Sequence, residues 1–210
     1  MCDTTGSAQP VPVAAVSEDT EPRLTIPLEP VDGIAVTTLI DNVADMLAVN
    51  QGPAIRPFIG DARHRTSTVF EDDWTMQGLI AEHGFAALIT VTAGGSTHRL
   101  LFDAGLSPDG LVSNMRALGV DLGSIEAIVL SHGHSDHTAG LDGFIRAVGR
   151  TSLPVMIHPE FWSRRRLVIP GHDPVELPTT SRSALEGAGF TIIEDRQPSF
   201  LFGGSVLITG

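Results

Sequence analysis

A short apolar run, Ala127-Ile128-Val129-Leu130, gives way at once to Ser131-His132-Gly133-His134-Ser135-Asp136-His137. No other stretch restricts the chain so strongly. Three of the eight histidines stand within six positions, with an aspartate among them. The run before them has the continuous apolarity of a strand buried on both faces. After them Leu141, Phe144, Ile145 and Val148 recur at i, i+3, i+4 and i+7, the spacing of a helix packed on a sheet. The histidines therefore lie at the carboxyl end of a buried strand, where α/β proteins place their sites. On extended backbone His132 and His134 point to the same side, and Gly133 between them leaves room for close approach. Asp136 and His137 fall where the chain turns into the helix and address a second point nearby. Imidazole nitrogen and carboxylate oxygen bond zinc at ~2.0–2.2 Å. Crowded imidazoles depress one another's protonation, and metal binding needs the neutral ring. The segment thus predicts a metal site. A polar surface loop rich in histidine is the ordinary alternative, and the strand-loop-helix context argues against it.

Composition narrows the partners. A chain of 210 residues, 42% hydrophobic and 18% charged, fits one soluble globular domain. Its formal net charge is −12, and every basic residue is Arg. Such a chain lacks the basic surface that nucleic acid or anionic lipid requires. The lone Cys2 excludes an internal disulfide and any cysteine-rich metal site. No apolar run approaches the ~20 residues of a membrane helix. The start shows no basic segment followed by an apolar core, so a cytoplasmic location is the default expectation.

Residues 1–30 read as a disordered tail, broken by Pro10, Pro12, Pro22, Pro27 and Pro30. Residues 31–210 read as one domain. Strands are expected over Ile34 to Ile40, Phe85 to Thr92 and Arg99 to Phe102, with Ala93-Gly94-Gly95-Ser96 as a hairpin turn. Ser107 as N-cap, Pro108 at the first helical position and Gly119 past the end predict a helix presenting Leu111, Met115 and Leu118 on one face. Pro154 to His158 and Thr191 to Ile193 read as further strands, Thr180 to Ala188 as a helix, and Phe200 to Phe202 with Val206 to Thr209 as a last hairpin. The alternation argues for an α/β layered fold. Residues 49–75 are poorly periodic, as in a lid or binding loop. His64 and His98 read as exposed loop and hairpin residues. Arg164-Arg165-Arg166 reads as a solvated helix face, with an anion site as the sharper alternative.

His132-x-His134-x-Asp136-His137 resembles the signature of the metallo-β-lactamase superfamily. Leu101-Phe102-Asp103-Ala104-Gly105 resembles its strand-end aspartate motif. Glu82-His83-Gly84-Phe85, Thr38-Leu39-Ile40-Asp41-Asn42 and His158-Pro159 are most similar to the branch of dihydropterin ribofuranosyl-aminobenzene phosphate synthase-like proteins. The resemblance covers about residues 34–210. It implies an αββα sandwich and usually two metal ions, zinc in most members and iron or manganese in some. By motif it implies that His132 and His134 bind a first ion and that Asp136 and His137 bind a second. It gives Asp136 the further catalytic task of orienting the attacking water. Asp103 becomes an outer carboxylate that fixes a ligand or a loop. His83 and His158 are candidates for substrate contact, with hydrogen-bonded structural roles as the alternative.

Members of that superfamily complete the site with a later His, a bridging Asp and another His. Only His158 and His172 follow the motif here. Gly171-His172-Asp173-Pro174 lies too near the motif and between prolines, so it reads as a surface loop. The chain is therefore expected to be the N-terminal half to two-thirds of an αββα sandwich, binding metal weakly by itself. The expected activity of the complete protein is metal-dependent hydrolysis of a small molecule. The alternatives are a pterin- or phosphoribosyl-type transferase of the same fold and an inactive metal-binding fragment. A homodimer stays open.

Overall fold

The computed structural model describes residues 26–209. Of the tail expected over 1–30, residues 1–25 lie outside the described residues, as does Gly210. Residues 26–30 form neither helix nor strand, and the Glu29 N–H donates to Gly204 O at 3.1 Å.

In chain order the strands and helices are β1 (Gly33–Ile40), β2 (His64–Thr66), β3 (Trp74–Met76), β4 (Ala86–Ala93), β5 (Ser96–Phe102) and α1 (Gly110–Ala117). Then come β6 (Ala127–Val129), α2 (Ser135–Thr138), α3 (Leu141–Val148), β7 (Pro154–Ile157), β8 (Arg166–Leu167) and β9 (Val175–Glu176). The last are α4 (Arg182–Gly187), β10 (Thr191–Glu194), β11 (Ser199–Leu201) and β12 (Val206–Ile208). Six strands form a mixed sheet in the order β1-β4-β5-β6-β7-β10. β1, β4 and β5 pair antiparallel, whereas β5, β6, β7 and β10 run parallel. The fold class is α/β.

The pleat sends alternate residues to opposite faces, and the two faces are covered differently. Leu88, Leu101, Ile128 and Val155 meet Leu111 and Met115 of α1, Phe144 of α3 and Leu185 of α4 in the main core. Leu100, Val129 and Met156 turn the other way, against Leu201, Phe202, Val206 and Ile208 of the terminal hairpin. On that face the layer against the sheet is this two-stranded hairpin. The central run is buried on both faces, as its unbroken apolarity predicts: Ala127, Ile128, Val129 and Leu130 are all at most 5% exposed.

Three expectations need correction. Ser107 does not cap α1, which begins at Gly110 behind Asp109. Glu82 Oε1 accepts the N–H groups of Leu106 and Ser107 at 2.8 and 2.9 Å and draws them into a turn ahead of the helix. Asp109 does not cap through its side chain either, because its carboxylate pairs with Arg146 of α3 at 2.6 Å. His98 is not a free hairpin residue. Its ring stacks on Phe202 at 4.5 Å and its Nδ1 meets Glu126 at 2.9 Å. Residues 164–166 are not a helix face either. After the single 3-10 turn Pro159–Trp162, Arg164 and Arg165 lie in neither helix nor strand, and Arg166 opens β8. Within the long loop over 49–75, β2 pairs with β3, and His64 stacks on Trp74 at 3.8 Å.

Candidate metal centre

β5 and β6 end side by side, and their ends build the site. The chain leaves β5 at Asp103 with φ of 57°, a left-handed conformation that Asp tolerates better than most residues. That turn aims the carboxylate across to β6. Asp103 is 1% exposed, and three donors surround it. Its Oδ1 accepts the Ser131 N–H at 2.7 Å, and its Oδ2 accepts the Ser131 hydroxyl at 2.7 Å and His137 Nδ1 at 2.8 Å.

These bonds set the histidine tautomers. His137 donates from Nδ1, so its Nε2 carries the lone pair. Ser131 spends its single proton on Asp103, so its oxygen must accept at 2.9 Å from His132 Nδ1. That leaves the lone pair of His132 on Nε2 as well. One buried carboxylate thus fixes two imidazoles, one directly and one through a hydroxyl. Ser131 stood within the quoted motif, yet its relay role has no sequence signal beyond adjacency.

The three rings gather closely. His132 lies 4.6 Å from His134 and 4.3 Å from His137 between centroids. His132 Nε2 is 2.9 Å from His134 Nδ1, and Asp136 Oδ2 is 3.5 Å from His137 Nε2. His134 sits just before α2 with extended φ and ψ, which lets its ring share a side with His132. Burial, then the neighbouring His137 and His134, push the His132 pKa below its ordinary value. Among the described residues no three His, Cys, Asp or Glu side chains converge on one point as a finished cage. By chemistry the donor set fits a divalent transition ion: it combines imidazole and carboxylate, and the His132 ring is held toward the neutral form that ligates.

His83 Nε2 reaches Asp136 Oδ2 at 3.3 Å from an exposed position. Gly84, at φ of 123°, brings the next peptide so near that a Cβ would stand 2.2 Å from Asp136 O. His158 uses Nδ1 to accept the Glu160 N–H at 3.2 Å, which caps the following turn. It also lines, with Ser131, Asp195 and Gln197, a cavity of about 260 Å³. His172 is exposed, on the loop between β8 and β9.

Glu82 stands in the sequence only as part of a family-like motif, and Arg165 as part of a solvated helix face or an anion site; the structure gives each another task. Glu82 fixes the loop after Asp103 through Oε1, while its Oε2 is buried with no partner among the described residues. Arg165 lies against Gly133. No described helix is long and apolar enough to cross a membrane.

The chain is similar to several known proteins. A 7,8-dihydropterin-6-methyl-4-(beta-D-ribofuranosyl)-aminobenzene-5'-phosphate synthase of Methanocaldococcus jannaschii is 35% identical over 82 residues, 39% of this chain and 28% of that protein. An uncharacterized protein of the same organism is 40% identical over 73 residues, 35% of this chain and 27% of the relative. The matched part thus spans little more than a quarter of either relative's length. Among solved structures, the Rm3 metallo-beta-lactamase aligns at 24% identity over 64% of this chain and 45% of its own, with a TM-score of 0.37. The sequence model of the metallo-beta-lactamase superfamily matches residues 79–196, more than half of the chain. Because that match covers more than half of the chain, and its span includes Asp103 and the whole histidine segment, this chain belongs to the metallo-beta-lactamase superfamily.

Proposed function

We propose that the protein is a metal-dependent hydrolase of a small-molecule substrate, loaded with zinc at two positions, or with iron or manganese instead. One observation carries this reading. The Asp103 network turns the Nε2 lone pairs of His132 and His137 toward the space shared with His134 and Asp136. His132 and His134 would hold one ion, and Asp136 and His137 a second. A divalent ion supplies a water of greatly lowered pKa and polarises a carbonyl or phosphoryl oxygen.

The chain's own residues then have separate tasks. Asp103 holds the His137 ring and, through Ser131, the His132 ring. Asp136, 3.3 Å from His83, orients the water and accepts a hydrogen bond from it. His83 and His158 stand where substrate groups would meet them, His158 at the cavity beside Ser131. A compact small molecule suits a cavity of that size. The cytoplasm remains the proposed compartment.

The similarity to a phosphate synthase favours a second reading, group transfer on a phosphorylated substrate. Phosphate release measured against product mass separates the two. The metal reading is tested by calorimetric titration of the 210-residue chain with Zn²⁺. Saturable heat that is reduced in His134→Ala is expected. Equal binding by the variant refutes the assignment.

A further inference from the structure

We propose that Arg165 is a positioning residue for the two histidines that flank Gly133, an inference that rests on the metal reading above. Its Nη1, whose two N–H groups are shared among them, lies within hydrogen-bonding distance of three carbonyls: Ser163 O at 2.8 Å, Phe161 O at 3.0 Å and Gly133 O at 3.1 Å. Two of these lie in its own segment, whereas the third lies 32 positions away, between His132 and His134. The guanidinium therefore ties the segment after β7 to the histidine loop. It is partly buried, whereas Arg164 and Arg166 on either side are exposed.

The contact is built into the backbone. A Cβ at Gly133 would stand 2.3 Å from Phe161 O and 2.7 Å from Arg165 Nη1. Only glycine lets the two segments approach so closely. The Gly133 carbonyl belongs to the peptide that leads into His134. Holding that oxygen holds the peptide plane, and with it the direction from which the His134 ring meets His132. No other side chain among the described residues hydrogen-bonds that carbonyl. Asp103 fixes His132 and His137, so Arg165 supplies the corresponding restraint for His134.

Lysine keeps a positive charge and N–H donors at the end of a long side chain; glutamine is shorter and uncharged, and alanine has no donor. The test is a visible-absorption titration of the whole chain with Co²⁺, alongside urea unfolding without metal. Arg165→Ala is expected to weaken Co²⁺ binding about 10-fold or more and to alter the ligand-field band. Arg165→Lys is expected to stay within about threefold of wild type, because it keeps a cationic N–H donor in the segment that faces the Gly133 carbonyl. A merely structural arginine would lower the unfolding midpoint and leave the Co²⁺ band unchanged. Wild-type affinity and band in a folded Arg165→Ala overturn the proposal. If that variant does not fold, Arg165→Gln decides, since binding equal to that of Arg165→Lys also overturns it. A wild-type chain that gives no Co²⁺ band defeats the metal reading itself, and this inference with it.

Discussion

Replacing Asp103 by Asn separates the two things that residue does. Asn keeps the shape and tolerates the left-handed backbone at φ of 57°. Its amide oxygen must face the Ser131 N–H, as Oδ1 does now at 2.7 Å, because the reverse orientation sets two donors against each other. The amide nitrogen then replaces Oδ2 and donates to both former donors. His137 Nδ1 must accept, so the ring proton moves to Nε2 and the ligating lone pair is lost. Ser131 accepts from the amide and turns its own proton to His132 Nδ1, which shifts that ring in the same way. Folding should fall by only about 1 kcal/mol, while Zn²⁺ affinity should fall by about 10- to 100-fold. Asp103→Ala behaves differently. It removes three hydrogen bonds from a residue 1% exposed and leaves a Cβ-bearing residue in left-handed backbone. At about 1 kcal/mol or more for each bond to the carboxylate, and about 1 kcal/mol for the conformation, the cost is at least about 4 kcal/mol. Urea unfolding of the metal-free chain reads the first quantity and Zn²⁺ calorimetry the second. Equal destabilisation by both variants, or wild-type Zn²⁺ affinity in Asp103→Asn, would refute the tautomer argument.

Three further outcomes are expected. Asn114→Ala should cost about 3 kcal/mol in urea unfolding, because Asn114 is buried and satisfies the Ile80 N–H, Ile80 O and Leu39 O at 2.7–2.8 Å. Gly143→Ala should cost about 3 kcal/mol or more, since its Cβ would stand 1.9 Å from Pro108 O and backbone cannot give way as a side chain can. In the metal-free chain, an NMR titration should show His132 losing its proton below the usual histidine range. A His pKa lowered on folding means that the unfolded chain protonates first as pH falls. Its contribution to stability is therefore full above the ordinary value of 6.5 and is lost below it, down to the depressed value. A His132 titration above 6.5 would contradict the crowding of the three rings.

What the sequence discloses and what it hides follow from distance along the chain. The histidine segment is legible because its donors are neighbours, and the backbone period of a strand end and a helix start fixes their directions. The sheet is legible for a similar reason, as in the unbroken apolar run 127–130. The restraints on the site come from far away. Asp103 reaches Ser131 across 28 positions, Glu82 reaches Ser107 across 25 and Arg165 reaches Gly133 across 32. No local pattern announces such pairs. Ser107-Pro108 shows how a true local signal misleads. Serine before proline opens a tight turn as readily as a helix, and Glu82 tips it to the turn. Arg164-Arg165-Arg166 looks uniform as a string, yet the middle side chain is partly buried against Gly133 while its two neighbours are exposed.

The claim on which everything else depends is that His132, His134, Asp136 and His137 share divalent ions. Zinc-edge X-ray absorption of the chain loaded with Zn²⁺ addresses it most directly. The account predicts imidazole nitrogen at ~2.0–2.1 Å from zinc in the wild-type chain and measurably fewer such nitrogens in His134→Ala. A shell of oxygen alone, or one identical in the two proteins, would contradict it.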